Sequence, residues 1–185
     1  MKYGDLKLGQ IEALINIIGG MEAVERILAK TVKVVLEAMK LLTPVDKPIP
    51  VPDVSEFVLT EDMLKQANIY SWDYFKGRFL NKKCPAAKAA NVHAHRLEQR
   101  SMDKPIMEAL GKGVQTSLGH FLWLVQNGAL SKDYVSIFYI MDDEGVVWAV
   151  YCYWSAGSRG WYVDALSVED AIEWDEGRQV FSSDS

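Results

Sequence analysis

Two tryptophans and two arginines near the carboxyl end have the residue types best suited to holding a ligand. Arg159, Trp161, Trp174 and Arg178 share a stretch with Asp164, Glu169, Asp170, Glu173, Asp175 and Glu176. Aromatic faces beside carboxylates suit cationic ligands and glycans, and a carboxylate pair is what glycoside hydrolysis uses. The plainer explanation is a tryptophan-lined core boundary beside a solvated acidic loop. The two arginines and two tryptophans stand as candidate ligand-binding residues. Asp164, Glu169, Asp170 and Glu173 form the basis of a hydrolase or glycan-acting reading that ranks third.

A second concentration is basic. Lys76, Arg78, Lys82, Lys83, Lys88, Arg96, Arg100 and Lys104 face only Glu98 and Asp103 over the same span. Lys76, Arg78, Lys82, Lys83, Arg96 and Arg100 form the candidate basic patch, for phosphate, nucleic acid or an acidic partner. Charge runs on helices usually face solvent, and this one also complements the chain's own acidic closing third.

His93 and His95 make a His-x-His pair, which chelates a metal when both rings share one face of a strand. On a helix the two side chains diverge by roughly 200°. The surrounding alanine-rich stretch reads as helix, so no metal site is expected. His120 falls on an apolar helical face and reads as a core histidine. Cys152 lies among aromatic strand residues and Cys84 precedes Pro85, and neither has a catalytic partner at a recognisable spacing. No Gly-rich phosphate loop, GxSxG elbow, HExxH or kinase-type signature occurs, so no cofactor and no catalytic residue is expected.

The elements that must position these residues follow from hydrophobic spacing. Leu8, Ile11, Leu14, Ile15 and Ile18 recur at helical intervals, break at Gly19-Gly20, and resume with Met21, Val24, Ile27 and Leu28. This predicts a helical hairpin over residues 1–43, its second helix extended through Val32, Val35, Met39 and Leu42. The arrangement has the spacing of a helix-turn-helix, but its second helix sets Glu22 and Glu25 against Arg26 and Lys30, a poor face for phosphates and base edges. Four of the six prolines lie between Pro44 and Pro52, which predicts an extended linker over 44–58. Thr60 before Glu61 and Asp62 is a helix start. Helices are then expected over 60–128, including a short aromatic one near Trp72, Phe75 and Phe79, an alanine-rich one over 82–100, and one from Pro105 to Gly128 with a break near Gly111–Gly113.

From Tyr134 the period becomes two. YVSIFYIM, VVWAVYCYW and WYVDALSV, joined by DDEG and SAGSRG, predict an antiparallel meander over 134–182, with RQVFS as an added edge strand. Neither face of the middle strand is polar, so both must be covered.

Composition bounds the rest. The chain has 185 residues, 49% hydrophobic and 24% charged, enough for a self-sufficient core without disulfides or structural metal. A net charge of −5 argues against a general nucleic-acid coat. No run approaches the length of a membrane span, and MKYGDLKLGQIEAL lacks a signal peptide's apolar core, so a cytoplasmic location is expected. Five of six tryptophans lie beyond residue 120, where acidic side chains also accumulate.

The two ends carry a resemblance. LKLGQIEALINIIGGMEAVERILA resembles the opening of a group of small bacterial proteins that begin Leu-x-x-Gly-Gln-x-Glu-Ala-Leu and break at Gly-Gly. The ending is similar to that group's closing pattern through Trp161, Trp174, Arg178, Val180, Phe181 and Ser182. No activity is attached to the group, so the resemblance implies a bacterial cytoplasmic origin and transfers no site residue.

The expected fold is therefore α+β, with amino-terminal helices packed on a carboxyl-terminal antiparallel meander of three to four strands. The expected role is a non-enzymatic binding or protein-interaction module, whose partner is another protein or a second copy. The alternative is a DNA-binding regulator using the hairpin and the basic 76–104 segment.

Overall fold

The structure is a computed structural model that describes residues 13, 15–17, 19–28, 40–45 and 47–184. The chain divides into two units, Met1–Met39 and Lys40–Ser185. In the first, helix α1 (Gly20–Leu28) follows a turn in which Gly19 and Gly20 have φ of 100° and 80°, a region that side chains rarely enter. Most of the helix expected before it, and the extension expected through Val32, Val35 and Met39, lie outside the described residues, while Leu42, expected to end that extension, begins a strand, Leu42–Pro44.

The second unit is built on a nine-stranded mixed sheet. In chain order its elements are β1 (Leu42–Pro44), β2 (Ile49–Val51), β3 (Phe57–Val58), α2 (Glu61–Gln66), β4 (Ile69–Ser71), α3 (Asp73–Phe79), β5 (Lys83–Cys84) and β6 (Ala90–Leu97). They continue with β7 (Ser101–Met102), α4 (Asp103–Leu110), β8 (Gln115–Thr116), α5 (Leu118–Gln126), β9 (Ser136–Met141), β10 (Val147–Ser155), β11 (Gly160–Ser167), β12 (Glu173–Trp174) and β13 (Gln179–Ser183). Across the main sheet the order is β1, β6, β13, β9, β10, β11, β4, with β2 also on β6 and β8 also on β9. The β13–β9, β8–β9 and β11–β4 pairs are parallel.

This corrects the expectation of helices packed on a meander of three to four antiparallel strands. The β9–β10–β11 meander is present, but it is the middle of a sheet whose other strands come from 42 onward. The alanine-rich stretch forms β6, not a helix. Alanine's helix propensity is worth only a few tenths of a kcal/mol per residue, and β6 is paired on both edges, by β1 and β2 on one side and β13 on the other. Its alternation is clear once seen: Val92 and Ala94 enter one core while Leu97 enters the other. RQVFS is no edge strand, because β13 is inserted between β6 and β9. Phe181 there stacks on Phe138, with ring centroids 4.4 Å apart. The proline-rich stretch supplies β2, with Pro50 exposed in an outer strand, where a missing donor costs no ladder bond.

The middle of the sheet is covered on both faces. On one, α2, α3 and α5 bring Leu64, Phe75, Phe79, Phe121 and Leu124 against Phe138, Val150, Cys152 and Val163. On the other, Ile106 of α4 and Trp174 of β12 pack with Leu97, Ile137, Tyr139, Ala149 and Val180. Thr60 caps α2, its hydroxyl accepting the Met63 N–H, as the Thr-Glu-Asp start predicts. No described helix is long and apolar enough to cross a membrane.

Candidate functional site

The carboxyl-terminal candidates are not brought together. Trp161 is in the first core and Trp174 in the second, on opposite faces of the sheet. The Trp174 indole donates to Asp103 at 2.7 Å. Arg159 occupies the β10–β11 turn at φ 51°, its carbonyl accepting the Asn68 side-chain amide. Arg178 is half-buried in the wall of a cleft of about 390 Å³ with Lys132, Tyr134, Tyr153 and Trp154. There it pairs with Asp175 at 3.1 Å, and Asp175 also accepts two hydrogen bonds from Arg100. Those hydrogen bonds, Arg100 first, hold the Asp175 carboxyl below its usual range. Among the carboxylates, Asp164 is buried, and Glu169, Asp170 and Glu173 are exposed.

The basic run is dispersed over several elements and faces partners from the chain itself. Lys76 pairs with Glu61 at 3.0 Å, Lys82 with Asp143 and Lys83 with Glu56 at 2.8 Å, and Arg100 with Asp175 at 2.7 Å. The Arg78 guanidinium stacks 4.3 Å over Trp148, and Arg96 lies over Tyr134.

His93 and His95 point to one face of β6 because the segment is a strand, contrary to the helical expectation. Their ring centroids are 6.4 Å apart. His95 shares a hydrogen bond with the Ser182 hydroxyl at 2.8 Å, and His93 lies 2.8 Å from Asp184. Among the described residues no three histidine, cysteine or acidic side chains are arranged to hold a metal. His120 is buried, and burial pushes its pKa down.

The arrangement that the sequence reading missed lies at the opposite edge of the sheet, on β4. Ala67 ends α2, and Asn68 follows at φ 54°, the left-handed position that commonly closes a helix. The chain then turns into three strand residues before α3. Parallel pairing with β11 puts Tyr70 beside Tyr162, and antiparallel pairing puts Tyr162 beside Tyr153. The result is a row of three tyrosines across three strands, with centroids 5.3 and 5.5 Å apart and ring planes 22° and 12° from parallel. Trp72 meets Tyr162 edge-on. Tyr70, Trp72 and Tyr74 are 45%, 48% and 67% exposed, a concentration of large aromatics within five residues.

Among the described residues the backbone of β4 is half used. The Trp161 N–H donates to the Asn68 carbonyl at 2.9 Å and the Trp72 N–H to the Val163 carbonyl at 3.0 Å. In a parallel ladder this phase commits Tyr70's N–H and C=O to β11 and turns those of Ile69 and Ser71 outward. Beside them is an open groove of about 340 Å³ with Glu61, Lys65 and Lys76 in its walls. Two features hold the edge in place. Gly160 lets the Tyr70 ring close over it, since a Cβ there would lie 2.4 Å from Tyr70 Cε2 and 2.9 Å from the Asn68 carbonyl oxygen. Asp164 accepts the Phe75 N–H at the start of α3.

The signal in the sequence was the pair of aromatic runs, Tyr70-Ser-Trp-Asp-Tyr74 and Trp161-Tyr162. A three-residue strand is too short for its period to be read, and Tyr162 meets Tyr70 only through a pairing 92 positions long. Compared with protein-family models, with curated proteins and with solved structures, the chain finds no match.

Proposed function

We propose that this chain is a cytoplasmic, non-enzymatic interaction module that accepts an extended segment of a partner polypeptide along the free edge of β4. The observation that carries the reading is the outward N–H and C=O of Ile69 and Ser71 in the wall of a groove that Tyr70 also lines, with exposed Trp72 and Tyr74 next along the chain. Main-chain hydrogen bonds from an added strand supply affinity in this mode of recognition, and flanking side chains supply choice. Tyrosine and tryptophan are the residues most enriched where such contacts concentrate their energy. The groove lies between residues of α2 and α3, so a thin extended segment fits it better than a folded surface. The lysines in its walls are paired within the chain, Lys76 with Glu61 and Lys65 with Asp62, so recognition rests on main-chain bonds and the aromatic side chains. Two free cysteines suit a reducing compartment.

A displayed library of random peptides selected on the full chain tests this. Ser71→Pro removes one outward donor and leaves both Tyr70 bonds to β11 intact. Selected peptides should bind the Pro variant at least tenfold more weakly and should slow amide exchange at Ile69 and Ser71. Failure to select any peptide, or equal binding to the two proteins, would overturn the reading.

A further inference from the structure

A second cleft, separate from the β4 edge, lies between the end of α3, residues 82–85, the entry to α5 and the β9–β10 turn. Its volume is about 270 Å³, near the low end for small-molecule pockets. Phe79, Cys84, Leu118 and Met141 give it an apolar wall, and Arg78, Lys82, Lys83, Asp142 and Asp143 give it a charged one. Burial pushes the Cys84 thiol up to about 11, so at neutral pH it is an uncharged part of the apolar wall.

Most of the charges are already answered. The two oxygens of Asp142 accept the N–H groups of Glu144 and Val146 and the indole N–H of Trp148, all at 2.8–2.9 Å. Asp143 holds Lys82, and Glu56 holds Lys83. Arg78 is different. It is half-buried, its guanidinium carbon lies 4.3 Å over the Trp148 ring, and none of its donors has an acceptor among the described residues. Trp148 is itself held by Asp142 through its indole N–H, and the same carboxylate attracts the Arg78 charge without accepting a hydrogen bond from it. A planar fork of N–H donors with no acceptor of its own matches a carboxylate or phosphate.

We propose that this cleft binds a small amphipathic anion, its carboxylate or phosphate head on Arg78 and its compact apolar body against Phe79, Leu118 and Met141. The aspartates in the wall act as selectivity elements. They discourage a bare, strongly hydrated anion that offers no apolar contact in return.

Titration calorimetry on the full chain with benzoate, phenyl phosphate, inorganic phosphate and benzyl alcohol tests the proposal. Benzoate or phenyl phosphate should bind saturably, and whichever binds more tightly identifies the head group. Inorganic phosphate and benzyl alcohol, each with only half of the required chemistry, should bind at least tenfold more weakly. Arg78→Met should weaken the amphipathic anion at least tenfold. Met141→Trp fills the cleft from a half-exposed position and should do the same while the thermal unfolding midpoint stays near that of the wild type. The proposal fails if neither amphipathic anion binds, if inorganic phosphate binds as tightly as phenyl phosphate, or if a folded Met141→Trp chain binds like the wild type.

Discussion

The carboxylate of Asp164 in β11 accepts the N–H of Phe75, 89 residues earlier in the chain, at 3.1 Å. Helix α3 begins after Trp72, which offers no side-chain cap, so a residue from a neighbouring strand caps it instead. Phe75 is the third residue of the helix, where a capping oxygen normally accepts. Asp164 is also buried, and its charge sits at the positive end of the helix. Asp164→Ala should cost about 1 kcal/mol, within the range of roughly 0.5–2 seen for lost caps. Asp164→Asn, which keeps an acceptor, should recover most of it. Urea unfolding of the three proteins measures the difference, and equal midpoints for the alanine and wild-type chains would dismiss the cap.

Gly160 and Tyr70 depend on each other sterically. An alanine at 160 brings its methyl within 2.4 Å of the tyrosine ring and 2.9 Å of the Asn68 carbonyl oxygen. The ring can swing away, but the backbone oxygen cannot move without disturbing the β11–β4 ladder. Gly160→Ala should therefore destabilise by about 1–3 kcal/mol, the usual cost of overpacking. In a Tyr70→Ala background the cost should shrink without vanishing. A double-mutant cycle by chemical denaturation reads this coupling, and strictly additive effects would show that the ring and the glycine are independent.

What was legible in the sequence depended on how far each signal had to reach. The β9–β10–β11 meander announces itself because tight turns at Asp142–Gly145 and Ser155–Gly160 keep its partners adjacent in sequence. Thr60 announces α2 because its cap bond is three residues long. By contrast β6, β13 and β4 are strands through partners far away, and local propensity favoured other answers. His93 and His95 show the consequence for chemistry: the same two residues diverge on a helix and share a face on a strand. The tyrosine row was invisible for a related reason, since it exists only after β10, β11 and β4 are in register.

His95 illustrates how that register creates a pH response. Burial, with the neighbouring His93 adding to it, holds the His95 pKa below the ordinary histidine value of 6.5, and its Nε2 faces the Ser182 hydroxyl. Ser182 and His93 stand opposite each other in the β13–β6 ladder, and Asp184 approaches His93 from the end of β13. A depressed folded pKa means that the neutral ring contributes stability above the unfolded value, and that this is lost as pH falls through the folded pKa. His95→Gln should blunt the loss of stability as the pH drops below about 6.5. Chemical denaturation across that range checks it. A His95 resonance titrating at or above the ordinary value would contradict it.

Asp103 should respond in the opposite direction. It is 1% exposed, and one carboxyl oxygen accepts both the Tyr139 hydroxyl at 2.8 Å and the Trp174 indole at 2.7 Å. Its other oxygen has no partner among the described residues. Burial raises the carboxyl's pKa, although the two hydrogen bonds oppose the rise. Because the folded pKa lies above the unfolded one, the favourable contribution is complete below about pH 3.9 and is lost as pH rises through the folded value. Asp103→Asn keeps the shared acceptor and removes the charge, so it should flatten the decline in stability above about pH 4. Asp103→Ala instead leaves a buried hydroxyl and a buried indole N–H unanswered, which costs about 1–3 kcal/mol each when no water replaces the partner. Urea denaturation of the three chains at several pH values separates these effects. Parallel pH profiles for the wild-type and Asn chains would mean that Asp103 titrates alike folded and unfolded, and that the clamp joining α4, β9 and β12 works through hydrogen bonds alone.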